Sequence, residues 1–323
     1  MNVFEFVKHK CNVHSLWMSV GTVLAGTSAA VIRGNMEVMP AVLCLLFGVF
    51  AQMTANFYHA WYEMKSASER AFTKESLIYE DENDESGNPF MIRVLREACF
   101  SSFIISLAIG LGILAIAHQP WWFIIMGAFI YGQFVLLHLG KHPLINTPVA
   151  MVMTFLIFGP VGVISTSLIQ SQVEAQRSIW ALFDTAPSLF IGVGAGFLAL
   201  TVHYIFSFAN YLMSPDYNKF NLTRLVGPRA MIAMTFLNGV LMFVSIAAMV
   251  LMLRIDRPLL AVLPAFIGLI INTWVATQMY RGAKGDVRTM CLVSIANYVI
   301  TFGLMLLVYW LISPPDDSYH VIF

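Results

Sequence analysis

Gln52, Asn56, His59 and Glu63 are spaced 4, 3 and 4 residues apart, and residues three or four apart share one face of a helix. They close an apolar run that opens at Pro40, in the stretch NFYHAWYE at 56–63. His203, Ser207, Asn210 and Ser214 repeat the spacing 4, 3, 4 at the end of another apolar run. Imidazole beside carboxylate suits a transition metal better than magnesium, and amide and hydroxyl oxygens are neutral donors. The plainer reading of His59 and Glu63 is a hydrogen-bonded pair one turn apart. A charged group at the centre of a membrane helix costs at least about 2.5 kcal/mol, so such residues usually face a cavity or a partner. The alternative is hydrogen bonding between helices, as Asn, Ser and His commonly provide. Two stripes of matched spacing, both leading to one side, point to a shared cavity with His203 facing His59 and Glu63 across it.

The elements that position these stripes are membrane spans. The chain has 323 residues, 59% hydrophobic and 11% charged, far below the charged fraction of about 25% usual in soluble domains. Apolar runs of about 18 residues or more are spanning candidates. Breaks in the pattern predict an all-α, polytopic membrane helical bundle of nine spans, near 14–33, 38–62, 95–118, 121–140, 146–170, 186–212, 227–253, 257–280 and 288–312. The stripes then lie on the second and sixth spans. Long loops are expected at 63–94 and 213–226, the first holding the acidic run YEDENDES at 79–86 as a solvated segment or a mobile lid. Of 18 Lys and Arg, 14 fall on the side of the amino terminus and 4 opposite. The positive-inside rule therefore places the amino terminus and both stripe ends in the cytoplasm, across the inner membrane in a bacterial cell. The first residues carry no small-residue cleavage site and read as a retained end.

Eighteen bases balance eighteen acids, which excludes the basic face a nucleic-acid partner needs. Cys11, Cys44, Cys99 and Cys291 have no paired spacing, so packing rather than metal-thiolate or disulfide chemistry is expected.

The motif positions resemble the UbiA superfamily of membrane prenyltransferases, most closely its dihydroxynaphthoate polyprenyltransferase (MenA-like) branch. That family has nine spans and two Asp-rich motifs at the cytoplasmic ends of spans two and six. The first, roughly N-x-x-N-D-x-x-D, lies over Asn56, His59, Ala60 and Glu63. The second, roughly N-N-x-R-D-x-x-x-D, lies over HYIFSFANY at 203–211, where His203, Tyr204, Phe206, Ser207 and Tyr211 replace the motif residues. SLWMSVGTVLAGT at 15–27, FLIFGPVGVISTSLIQ at 155–170, PSLFIGVGAGFLAL at 187–200 and NLTRLVGPRA at 221–230 resemble other family segments. The resemblance covers most of the chain and implies one UbiA-like domain over 1–323.

In that family, aspartates hold Mg2+ ions that bridge an isoprenyl diphosphate while an aromatic acceptor attacks the allylic carbon. The resemblance makes Glu63, His59 and His203 the candidate catalytic residues here. Asn56, Ser207, Asn210 and Tyr211 become substrate contacts, with Lys65, Arg70, Lys74, Lys219 and Arg224 as cations for the diphosphate. Glu63 and Asp216 are the candidate metal ligands, and Glu69, Glu75 or the acids of 80–85 can add to them by folding over the cavity. The expected function is transfer of a polyprenyl group to an aromatic acceptor in menaquinone or other quinone synthesis. The alternative is a catalytically inactive homologue that binds a lipid or quinone, as a subunit of a complex. A transporter of a small solute also fits a polar cavity.

Overall fold

The structure is a computed structural model. It describes residues 3–34, 36–73, 88–116, 122–138, 147–170, 186–213, 222–255, 257–282 and 287–312. Lipid offers backbone groups no hydrogen-bond partners, so the apolar runs fold as helices that satisfy themselves. A short α1 (Val3–Lys10) leads into α2 (Val13–Ile32), α3 (Val38–Thr73), α4 (Pro89–Ile116) and α5 (Trp122–His138). Then come α6 (Pro148–Leu156), a π turn (Ile157–Val161), α7 (Gly162–Gln170), α8 (Ala186–Met213), α9 (Leu222–Val226), α10 (Pro228–Met252), α11 (Pro258–Tyr280) and α12 (Val287–Ile312). Among the described residues eight helical segments are long and apolar enough to cross a bilayer, with α6, the π turn and α7 forming one of them. The apolar α5 is shorter, at 17 residues. All nine expected spans thus appear as apolar helices.

Two boundaries differ from expectation. Residues 63–73 and 89–94, expected in a loop, are helical, because leaving the lipid removes the demand for apolar side chains without removing helix propensity in a stretch such as EMKSASERA. The acidic run 79–86 lies outside the described residues. In the second loop, 222–226 form α9, and 214–221 are not described.

The core is organised around α2, which packs on α12, α7, α3 and α8. Its small residues Ala25, Ala29 and Ser28 are fully buried, which lets neighbouring backbones approach closely. The fifth span breaks in mid-course. Pro160 has no N–H to continue the ladder, and Gly159 takes the non-helical φ −114°, ψ −117°. The Gly162 N–H bonds to the Ile157 and Gly159 carbonyls, which leaves the Phe158 carbonyl to accept from the Tyr298 hydroxyl at 2.5 Å, with Thr22 Oγ1 3.3 Å from that carbonyl and 2.9 Å from Tyr298 OH. The break also brings backbones together: a Cβ on Gly159 would lie 2.7 Å from both the Gly192 carbonyl oxygen and Gly196 Cα on α8.

Candidate functional site

The second-span stripe lies on α3 and divides into two parts. Asn56 is committed to packing. Its Nδ2 donates to the Cys11 carbonyl at 2.6 Å and to Ser15 Oγ at 2.8 Å, and its Oδ1 accepts from Gln52 Nε2 at 3.2 Å. These bonds tie α3 to the turn between α1 and α2, where Asn12 takes a left-handed φ of 47°. One turn further, His59 Nε2 and Glu63 Oε1 lie 3.6 Å apart with side chains 40% and 51% exposed. That pair is accessible. The stripe is fixed in azimuth by its neighbouring face, since Phe57, Ala60 and Met64 are buried against Phe6, Met91 and Leu95.

The sixth-span stripe lies on α8. His203 is half-buried, beside Tyr204, Ile205 and Phe208, which pack into a core with Leu222 and Met231. Ser207 Oγ lies 3.2 Å from Thr223 Oγ1 and accepts from the Thr223 backbone N–H at 3.3 Å. Ser207 therefore anchors the start of α9, whose Arg224 is exposed. Tyr211 is half-buried. The side chains of Asn210 and Arg70 are not described, and Lys74, Asp216, Lys219 and Ser214 lie outside the described residues. Lys65 is exposed with its Nζ 5.6 Å from the Trp61 ring centre, on a different face of α3 from Glu63. The two stripes share α2 as a neighbour, while α3 packs chiefly on α4 and α8 chiefly on α10.

Magnesium is held through hard oxygen donors, usually one or two carboxylates plus substrate phosphates. Among the described residues no group of three His, Cys, Asp or Glu side chains is placed to hold a metal ion. Glu63 is shared with His59, the Asn56 amide is spent on Cys11, Ser15 and Gln52, and Ser207 is bonded to Thr223. The described donor set does not fit a magnesium-diphosphate centre. What the arrangement offers instead is an accessible imidazole–carboxylate couple and hydroxyl-bearing helix ends.

Sequence reasoning did not find the clasp of Thr22 and Tyr298 on the Phe158 carbonyl. Its signal was the Gly-Pro pair inside an apolar run, which frees a carbonyl that some neighbouring donor must satisfy.

No protein-family description matches the sequence, and neither does any curated protein. Solved structures do match. A UbiA homologue from Aeropyrum pernix K1, in its apo form, superposes with a TM-score of 0.65 at 12% identity, over 90% of this chain and 97% of that one. A UbiA homologue from Archaeoglobus fulgidus bound to DMAPP and Mg2+ gives 0.54 at 14% identity, over 91% and 97%. A digeranylgeranylglyceryl phosphate synthase gives 0.51 at 11%, over 94% and 99%. At such identities the likeness speaks to the fold, and with the eight apolar helices it makes this chain an integral, multi-pass membrane protein with the UbiA-type helical bundle.

Proposed function

We propose that this protein binds an isoprenyl diphosphate or a related prenyl lipid within a prenyltransferase-type bundle, and that it does so without a magnesium-dependent transfer step. The observation that carries this reading is the commitment of Asn56: the residue under the leading Asn of the first motif holds three backbone and side-chain groups of its own protein. Ser207, under an Asp of the second motif, anchors α9 in the same way. The charge bias of the sequence puts both sites at the cytoplasmic face. There the exposed Arg224, with Arg70, Lys74 and Lys219, which the charge split of the sequence assigns to the same side, supplies cations for a diphosphate. Such a protein acts as a prenyl-lipid or quinone carrier, or as a subunit that presents one to a partner.

The test is binding of farnesyl diphosphate to protein in nanodiscs, with Mg2+ and with EDTA, alongside incubation with dihydroxynaphthoate. Binding that is unchanged by EDTA, with no prenylated product, supports the reading. Magnesium-dependent product formation that Glu63→Gln abolishes would overturn it.

A second reading, an active polyprenyltransferase of the MenA-like kind, is favoured by the His59–Glu63 couple. Its accessible imidazole, backed by a carboxylate at 3.6 Å, is suited to take a proton from a phenolic acceptor. The same incubation separates the two readings, because this one requires product.

A further inference from the structure

We propose that the outward groove between α3, α4 and α5 is a binding site for an anionic phospholipid, with one acyl chain in the groove and the phosphate at Arg96. The groove encloses about 280 Å3, just under the range of about 300–1,000 Å3 of ordinary small-molecule pockets, and suits a stretch of one hydrocarbon chain. Its walls are Tyr58 and Trp61 of α3, Arg96, Phe100 and Phe103 of α4, and Tyr131 of α5. From Arg96 to Phe103 the α4 wall rises about 10 Å.

Among the described residues the floor presents its polar groups to one another and not to a chain lying there. Thr54 Oγ1 donates to Ser102 Oγ at 3.1 Å, the Cys99 thiol donates to the Thr54 carbonyl at 3.7 Å, and Tyr131 donates to Ser106 Oγ at 2.6 Å. The far end is closed by aromatic packing, with the Phe103 and Tyr131 rings 5.1 Å apart at 85°.

Charge is confined to the other end and is mostly positive. Arg96 lines it, Arg93 is exposed one turn away on the same face of α4, and Lys65 sits over Trp61. The opposing acid is Glu97, whose Oε1 lies 2.9 Å from Arg96 Nη2 with both side chains 59% exposed. Exposed ion pairs of this kind are weak, so a phosphate competes for the guanidinium at little cost and with better fork geometry. Tyr58 and Trp61 belong at the level where rings sit between headgroups and hydrocarbon. Basic clusters beside membrane helices recognise anionic headgroups in this manner.

The groove is separate from the stripe described above. Trp61 lies five residues from Asn56, Thr54 five from His59 and Tyr58 five from Glu63, which is about 140° around α3 in each case. One face of α3 therefore carries the stripe and a nearly opposite face carries the groove.

The test uses the purified full chain in detergent with equimolar phosphatidylglycerol and phosphatidylcholine, and reads the lipid retained by native mass spectrometry. Phosphatidylglycerol is expected to be retained about five-fold over phosphatidylcholine, the preference one arginine near an anionic headgroup contributes. Arg96→Gln brings the ratio close to one, Arg96→Lys keeps most of it, and Arg288→Gln, an equal loss of charge elsewhere, leaves it unchanged. Val135→Trp, at an exposed groove position, fills the groove and lowers retention of both lipids without lowering the melting temperature of the delipidated protein. Equal retention of the two lipids by the wild-type chain overturns the proposal. So does a preference that survives both Arg96→Gln and Val135→Trp, and so does Arg96-dependent displacement of the phospholipid by farnesyl diphosphate, which would make the groove part of a prenyl site.

Discussion

The Asn56 side-chain nitrogen lies 2.6 Å from the Cys11 carbonyl oxygen and donates to it. A residue whose spacing marks it as part of a polar, ligand-facing stripe is thereby a brace between the second span and the turn that starts the first. Its second hydrogen bond, to Ser15 Oγ at 2.8 Å, reaches the first turn of α2. The bundle end that carries the candidate site is thus held by one of the site's own residues.

Asn56→Leu should lower stability rather than ligand affinity. It removes three bonds and leaves the carbonyl of the buried Cys11 without that donor, a loss of about 1–3 kcal/mol. Thermal unfolding in detergent should show a clear drop, with farnesyl diphosphate affinity of the folded fraction retained. An unchanged melting temperature with lost affinity would return Asn56 to the ligand.

Tyr298→Phe and Thr22→Val test the clasp on the π turn. Tyr298→Phe removes the donor to the Phe158 carbonyl and Thr22→Val the hydroxyl that backs Tyr298 OH, and in membranes single interhelical bonds contribute about 0.6 kcal/mol on average, up to about 1.7. Because Thr22 and Tyr298 also bond each other at 2.9 Å, their costs should not add, and a double-mutant cycle should give a coupling of at least about 0.5 kcal/mol. Strict additivity would show that the two hydroxyls do not act as one unit.

Gly196→Ala is expected to be destabilising by about 1–3 kcal/mol, through overpacking. The added Cβ would lie 2.6 Å from the Phe155 ring and 2.9 Å from the Phe155 carbonyl oxygen, and a backbone atom cannot step aside as a side-chain tip does. Gly112→Ala provides the contrast. Nothing lies within 4 Å of its Cβ position, so the better helix propensity of Ala should leave stability equal or slightly raised. Equal effects at the two sites would mean that α6 and α8 are not in backbone contact.

The nine apolar segments were legible because lipid imposes one demand, a run of apolar residues, that sequence displays directly. The stripes were legible as faces, since 4, 3, 4 spacing reports azimuth on a helix. What those faces touch was not. Asn56 meets Cys11 only because Asn12 turns the chain with a left-handed φ, and Ser207 meets Thr223 only because 222–226 coil into α9, neither of which has a periodic signature. The groove was hidden for a related reason: Thr54, Tyr58 and Trp61 form a third face of α3, and its meaning depends on where α4 and α5 sit.

Three asparagines join consecutive spans in the second half of the bundle. Asn238 Nδ2 donates to Thr201 Oγ1 at 3.4 Å, Asn272 Nδ2 to the Thr235 carbonyl at 2.6 Å, and Asn297 Nδ2 to the Gly268 carbonyl at 3.1 Å. Asn297→Leu should cost the most, because it also removes the acceptor of Thr301 Oγ1 at 3.2 Å and strands a buried hydroxyl. Asn272→Leu should cost less than its short bond suggests, since its buried Oδ1 has no hydrogen-bond partner among the described residues and replacing it lifts that burden. Chemical unfolding of the two variants checks the order, and a reversal would mean that the Asn272 bond outweighs its unpaired oxygen.

Cys11 gives a pH-dependent readout of the Asn56 brace. Burial pushes its thiol above the ordinary range, so the reactive thiolate is scarcer at neutral pH than in an exposed cysteine. A folded pKa above the unfolded one contributes stability that is complete below the unfolded value and is lost as pH rises through the folded one. In a chain whose Cys44, Cys99 and Cys291 are replaced by Ala, maleimide should label Cys11 more slowly than in the detergent-unfolded chain. The native rate should climb only at alkaline pH. Adding Asn56→Leu should loosen the turn and raise the native rate at neutral pH, whereas Asn238→Leu, at the other half of the bundle, should not. Equal native and unfolded rates in the parent chain would show that the turn between α1 and α2 is open, and with it that Asn56 does not hold it shut.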